Sequence, residues 1–125
     1  MIVVDTSAFI SLGFCDLVLV LLKEFEVHTT EVVIDELKEM SEYEDEEGET
    51  AKKVIENKDE ITIHEFDKKF NFKQRDIDRG EGSCAVLAKN TDTDFLITDD
   101  VRALPYLKTI SMTKVVFSPI VLKAL

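Results

Sequence analysis

Residues 1–10 read MIVVDTSAFI, and the aspartate at position 5 decides how the rest of the chain is understood. Ile2, Val3 and Val4 suit a buried strand, because β-branched side chains pack well on a pleated surface. A strand of this kind that closes on an acid needs a reason for the acid. Asp5 is either the cap of a helix starting at Thr6 and Ser7, or one part of a site whose other parts lie far along the chain.

Outward from this stretch, strand-like segments recur with helical patterns between them: EVHT at 26–29, ITIHEF at 61–66, FLIT at 95–98 and KVVF at 114–117. That alternation marks βαβ units and a mostly parallel sheet, an α/β fold. The first and fourth segments are apolar up to a terminal acid, as expected of central strands covered on both faces. ITIHEF alternates and is expected at an edge. The spacing predicts helices over 16–24, 30–41, 49–57 and 80–90, with Thr30 opening the second. The tail SPIVLKAL, 118–125, enters a further helix through Ser-Pro. SEYEDEEGET, 41–50, holds six acids in ten residues and reads as a solvated turn between helices, with a metal-buffering or RNA-mimicking role as the alternative.

The chain has 125 residues, which is the size of one domain with a real core. Its 33% charged and 45% hydrophobic residues are ordinary for a globular protein. Twenty-six acids against fifteen bases give a net charge of −11, which argues against a generic nucleic-acid coat or an anionic membrane as partner. Cys15 and Cys84 match no metal-ligand spacing and read as small buried thiols of a reducing compartment. There is no basic leader, and the longest apolar run, 17–22, is far short of the about 20 residues that span a bilayer. The expected location is the cytoplasm, without a membrane partner.

Two further acids sit in apolar company. On a helix, Glu36 lies between Val32 and Met40, about 40° from each, while Glu39 points elsewhere. Glu81 falls in the same way between Cys84 and Ala85. An ionised carboxylate on a core-facing stripe is costly unless it is paired or coordinates a cation. The plain alternative is that each lies where its stripe opens to water or meets a base. FLITDD then repeats the design of IVVDTS, a strand closing on Thr98, Asp99 and Asp100. In a doubly wound sheet, ligands bind outside the carboxyl ends of the strands where the winding reverses, so neighbouring first and fourth strands would bring these acids to one crevice. Ser7, Asp99 and Asp100 also suit helix caps, whatever else they do. Gly80 and Gly82 flank Glu81 and permit close approach, and Thr6, Ser7 and Thr98 supply hydroxyls. Oxygen-only ligation selects a hard cation, Mg²⁺ or Mn²⁺, over zinc. His28 and His64 lie in separate strand segments without a ligand motif and read as strand-surface residues. Divalent ions held by carboxylates serve phosphoryl chemistry by activating water and neutralising charge on the phosphate and the leaving oxygen.

VVDTSAFI, VVIDEL, GEGSCAVLA, and LITDD before Arg102 resemble, in order and spacing, the motifs of PIN domains, metal-dependent ribonucleases that include the VapC-type toxins. The resemblance spans almost the whole chain. It implies a three-layer, doubly wound, five-stranded parallel sheet of order 3-2-1-4-5, and a cluster of acids that binds Mg²⁺ or Mn²⁺ for endonucleolytic cleavage of RNA. Carried onto this sequence, it assigns the acids to Asp5, Glu36, Glu81 and Asp100, with Asp99 an accessory or alternative ligand, and Thr6, Ser7 and Thr98 in support. It also allows an antitoxin protein or a second copy of the chain as partner. Two features depart from the toxin pattern: the third acid is a glutamate within Gly-Glu-Gly, where many members have aspartate, and the segment after Glu36 is strongly acidic.

With so negative a chain, RNA needs a local basic track. KKFNFKQRDIDR, 68–79, holds five of the fifteen bases, Lys68, Lys69, Lys73, Arg75 and Arg79. Phe70 and Phe72 are interleaved with them and Phe66 lies just before. Bases would meet phosphates and exposed aromatics would stack on unpaired nucleobases, whereas the plain reading makes the phenylalanines core plugs. Arg102 and Lys108 follow the aspartate pair and are placed to face the same crevice. Two rival functions remain: a non-catalytic PIN-fold interaction module in an RNA-processing or toxin-antitoxin complex, and a phosphatase of the haloacid dehalogenase type. The second normally wants another acid two residues after the first, where this chain has Ser7.

Overall fold

The computed structural model describes residues 1–66, 79–99 and 114–116. Strand β1 (Ile2–Val4) is buried along its whole length, as its run of β-branched side chains requires. At Asp5 the backbone turns, and the Asp5 carboxylate accepts from the Ala8 N–H at 3.0 Å while its carbonyl accepts from Phe9 N–H at 3.1 Å. This capping starts α1 (Thr6–Phe14), which buries Ala8, Phe9, Ile10 and Leu12. A sharp corner, bent by 115° and with Asp16 at φ 57°, leads into α2 (Val18–Glu24). Among the described residues no single helix is long and apolar enough to cross a membrane.

Strand β2 (Val27–Thr30) runs straight into α3 (Glu31–Met40), capped by Thr30, whose hydroxyl accepts from Val33 N–H at 3.3 Å. The acidic segment turns through 41–45 with every acid exposed, as its solvated reading expects. Helix α4 (Glu46–Glu56) starts three residues earlier than its sequence pattern suggests. The cause is local: Asp45 Oδ1 accepts from the Gly48 N–H at 2.7 Å, and the acids of the first turn favour the positive helix end. A short 3₁₀ turn (Lys58–Glu60) then enters β3 (Thr62–His64). Helix α5 (Arg79–Asn90), β4 (Phe95–Ile97) and β5 (Lys114–Val116) complete the described elements.

All strand pairs are parallel, in the order β3-β2-β1-β4-β5. The α/β parallel architecture is thus the expected one. The chain winds from β1 out to β3 at one edge, then passes back over β2 and β1 to lay β4 on the far side of β1. The winding reverses between β1 and β4, which is where α/β sheets of this kind open a crevice at the strand tips. Core side chains with almost no exposure, Val3, Val4, Phe9, Leu12, Leu21, Leu37 and Leu96, come from both sides of that reversal. They hold the two halves of the sheet as one packed body. The tail 117–125 lies outside the described residues.

Candidate active site

Three of the expected acids occupy the region around the tips of β1 and β2. Asp5 is 1% exposed and Glu81 4% exposed, and Glu36 is half-buried. Each places a carboxylate oxygen out of reach of solvent: Asp5 Oδ2, Glu36 Oε1 and Glu81 Oε2. They belong to three different elements, the β1–α1 junction, α3 and the first turn of α5. Glu39, which the helical pattern turned away from the stripe, is exposed.

Hydrogen bonds and close packing tie these elements together. Thr6 Oγ1 donates to Glu36 Oε2 at 3.3 Å, so the residue beside Asp5 holds the α3 carboxylate. The Glu36 carboxylate lies directly against the α-carbon of Gly80, the neighbour of Glu81. One turn further along α5, the Cys84 thiol hydrogen-bonds Val4 O and Thr29 Oγ1 at 3.8 Å each. Burial pushes the Cys84 thiol well above its usual range, and the nearby charges of Asp5 and Glu36 push it further. Ser83 joins α5 to β2 through a 2.6 Å contact with Thr30 Oγ1 and donates to Gly80 O at 2.8 Å.

Ser7 spans the winding reversal. Its hydroxyl donates to Asp5 Oδ1 at 2.9 Å and accepts from the Asp99 backbone N–H at 3.0 Å. The first and fourth acid-tipped strands are thereby fastened at their ends, with Asp99 half-buried beside the junction and Thr98 fully buried behind it. Asp100, Arg102, Lys108, Lys68, Lys69, Phe70, Phe72, Lys73 and Arg75 lie outside the described residues, as does the side chain of Arg79. Phe66 packs partly buried against the core, the plain reading of that residue.

The donor set is all oxygen and suits a hard divalent ion. Among the described residues, however, no three His, Cys, Asp or Glu side chains stand close enough together to hold one ion. Two other expectations need correction. Cys15 is exposed, because it caps the end of α1 at the corner before α2; Cys84 is buried as expected. His28 and His64 are not strand-surface residues acting separately. His28 is buried, His64 is half-buried, and His28 Nδ1 lies 2.7 Å from His64 Nε2 with the rings stacked at 5.0 Å. The β2–β3 register places them on one face, a relation no local pattern reveals. The place of Cys84 beside the acids was accessible in principle, since it sits three residues after Glu81 on the same stripe.

The parallel α/β sheet thus carries acids at the tips of its neighbouring strands β1 and β4. The chain belongs to the PIN domain family, whose model matches residues 1–116; members of that family are generally nucleases. No curated protein matches the chain.

Proposed function

We propose that this PIN domain is an Mg²⁺- or Mn²⁺-dependent endoribonuclease that hydrolyses RNA phosphodiester bonds, of the kind to which VapC-type toxins belong. The observation that carries the reading is that Asp5, Glu36 and Glu81, from three separate elements, each bury a carboxylate oxygen, with Thr6 holding the Glu36 carboxylate beside Gly80. Burying carboxylate oxygens in a chain of net charge −11 is costly unless a partner or a cation offsets them. Asp5, Glu36, Glu81 and Asp100 would hold the ion, with Asp99 beside them. Such an ion, when bound, supplies activation of water and neutralisation of charge on the phosphate.

The chain's own side chains do the positioning. Thr6 holds the Glu36 carboxylate, and Ser7 holds Asp5 while fastening the β4 tip. Lys68, Lys69, Lys73, Arg75, Arg79 and Arg102 would bind RNA phosphates, and because each such contact releases counterions, affinity would fall steeply with salt.

Incubation of the purified chain with a mixed RNA pool in Mn²⁺, Mg²⁺ or EDTA, beside the Asp5→Asn variant, tests the reading. Cleavage should require an ion and disappear in the variant. A variant that cuts as fast as the parent would assign the activity to another site. One observation favours a second reading, a non-catalytic PIN-fold interaction module: the described residues do not by themselves gather three ligands. RNA retained but left intact in either ion would establish that reading instead.

A further inference from the structure

Glycine is the poorest residue for a helix interior other than proline, yet Gly80 occupies the first turn of α5 and is buried. The commonest reason for such a glycine is a left-handed backbone, but no described glycine has positive φ. The remaining reason is space. A Cβ built at Gly80 would overlap Glu36 Oε1 and would stand 3.0 Å from Glu36 Cδ and 3.1 Å from Oε2. Carboxylate and helix backbone thus meet with no room for a methyl group between them. On its other side, the same carboxylate takes the hydroxyl hydrogen of Thr6 at 3.3 Å.

We infer that Gly80 is a positioning residue whose missing side chain seats the Glu36 carboxylate, so that positions 36 and 80 form a matched pair. Glu36 is a long, flexible side chain rooted on α3. A donor on one side and a bare α-carbon on the other confine it to a narrow slot beside the first turn of α5, where Glu81 is the next residue. The positive end of a helix favours an anion there. A methyl group at position 80 would displace the carboxylate from the slot. The steric pairing stands on the geometry alone; its consequence for a metal ion rests on the function proposed above.

A double-mutant cycle in the full chain tests both parts, using Gly80→Ala, Glu36→Ala, the double variant and the parent. Thermal unfolding is followed in EDTA, and Mn²⁺ binding is followed by calorimetry. With Glu36 in place, the carboxylate must shift to admit the methyl group, so Gly80→Ala should change the Tm less favourably than it does in the Glu36→Ala background, and weaken Mn²⁺ binding by at least about tenfold. In the Glu36→Ala background, the same substitution should raise the Tm, because alanine is the better helix former, and leave residual Mn²⁺ binding unchanged. If Gly80→Ala folds only when Glu36 is absent, the pairing is supported as directly. Equal effects of Gly80→Ala on Tm in both backgrounds, or failure to fold in both, would overturn it. Should Glu36→Ala bind Mn²⁺ as tightly as the parent, the metal role of Glu36 is lost, and the Tm cycle in EDTA still decides the pairing separately.

Discussion

Asp5 does two jobs with its two oxygens. Oδ1 caps α1 and accepts from Ser7, while Oδ2 is buried. The division makes Asp5→Asn an informative substitution, since asparagine caps a helix about as well as aspartate. Its unfolding free energy should therefore move by less than about 1 kcal/mol in urea titrations, while ion-dependent RNA cleavage should fall by more than about 100-fold. Ser7→Ala should act on stability as well as on cleavage. It removes the bridge between Asp5 and the Asp99 N–H, and should cost about 1–2 kcal/mol of stability by the same measurement. At this scale much was legible beforehand, because a carboxylate amid β-branched or helical apolar neighbours is conspicuous in a one-dimensional pattern. What Asp5 touches was not, since Thr6 reaches a residue 30 positions away.

Helices and strands were legible in proportion to how local their causes are. α3 announces itself through Thr30 and its apolar stripe, and it forms where expected. α1 offers only a cap and a short apolar run, so its extent depends on burial of Phe9 and Leu12 against the sheet. The start of α4 is set by one side chain, and Asp45→Ala should cost about 1 kcal/mol by thermal or urea unfolding. The pairing of β2 with β3 is a long-range fact, and with it comes the histidine pair. His64 is pushed below the ordinary 6.5 by burial first and by the neighbouring His28 second. Because the folded chain resists that proton more than the unfolded chain does, stability is complete above about pH 6.5 and declines as the pH falls through the depressed folded value. One shared hydrogen bond also needs at least one ring nitrogen without a proton. His64→Gln should flatten this part of the stability profile, measured by urea unfolding between pH 7.5 and about 5.

For the molecule as a whole, a net charge of −11 and buried acids from three elements make a divalent cation the natural counterweight. Ion binding to the folded chain alone should stabilise it by about 2.7 kcal/mol at a hundredfold excess over Kd, seen as a rise in Tm of about 8 °C in Mn²⁺ over EDTA. The Asp5→Asn variant should lose most of that rise while keeping its Tm in EDTA. The parallel α/β class was readable from the alternation of elements, and the neighbouring of β1 and β4 from the repeated acid-tipped strands. The seating of Glu36 against Gly80 was not, because it depends on how α3 and α5 approach over the sheet.

The fastening of Ser7 to Asp99 joins positions 92 residues apart in sequence, across the seam where the sheet changes its direction of growth. A nascent polypeptide therefore displays β1, α1 and α3 well before α5 and β4 have emerged. Residue 99 must leave the ribosome before this seam can close.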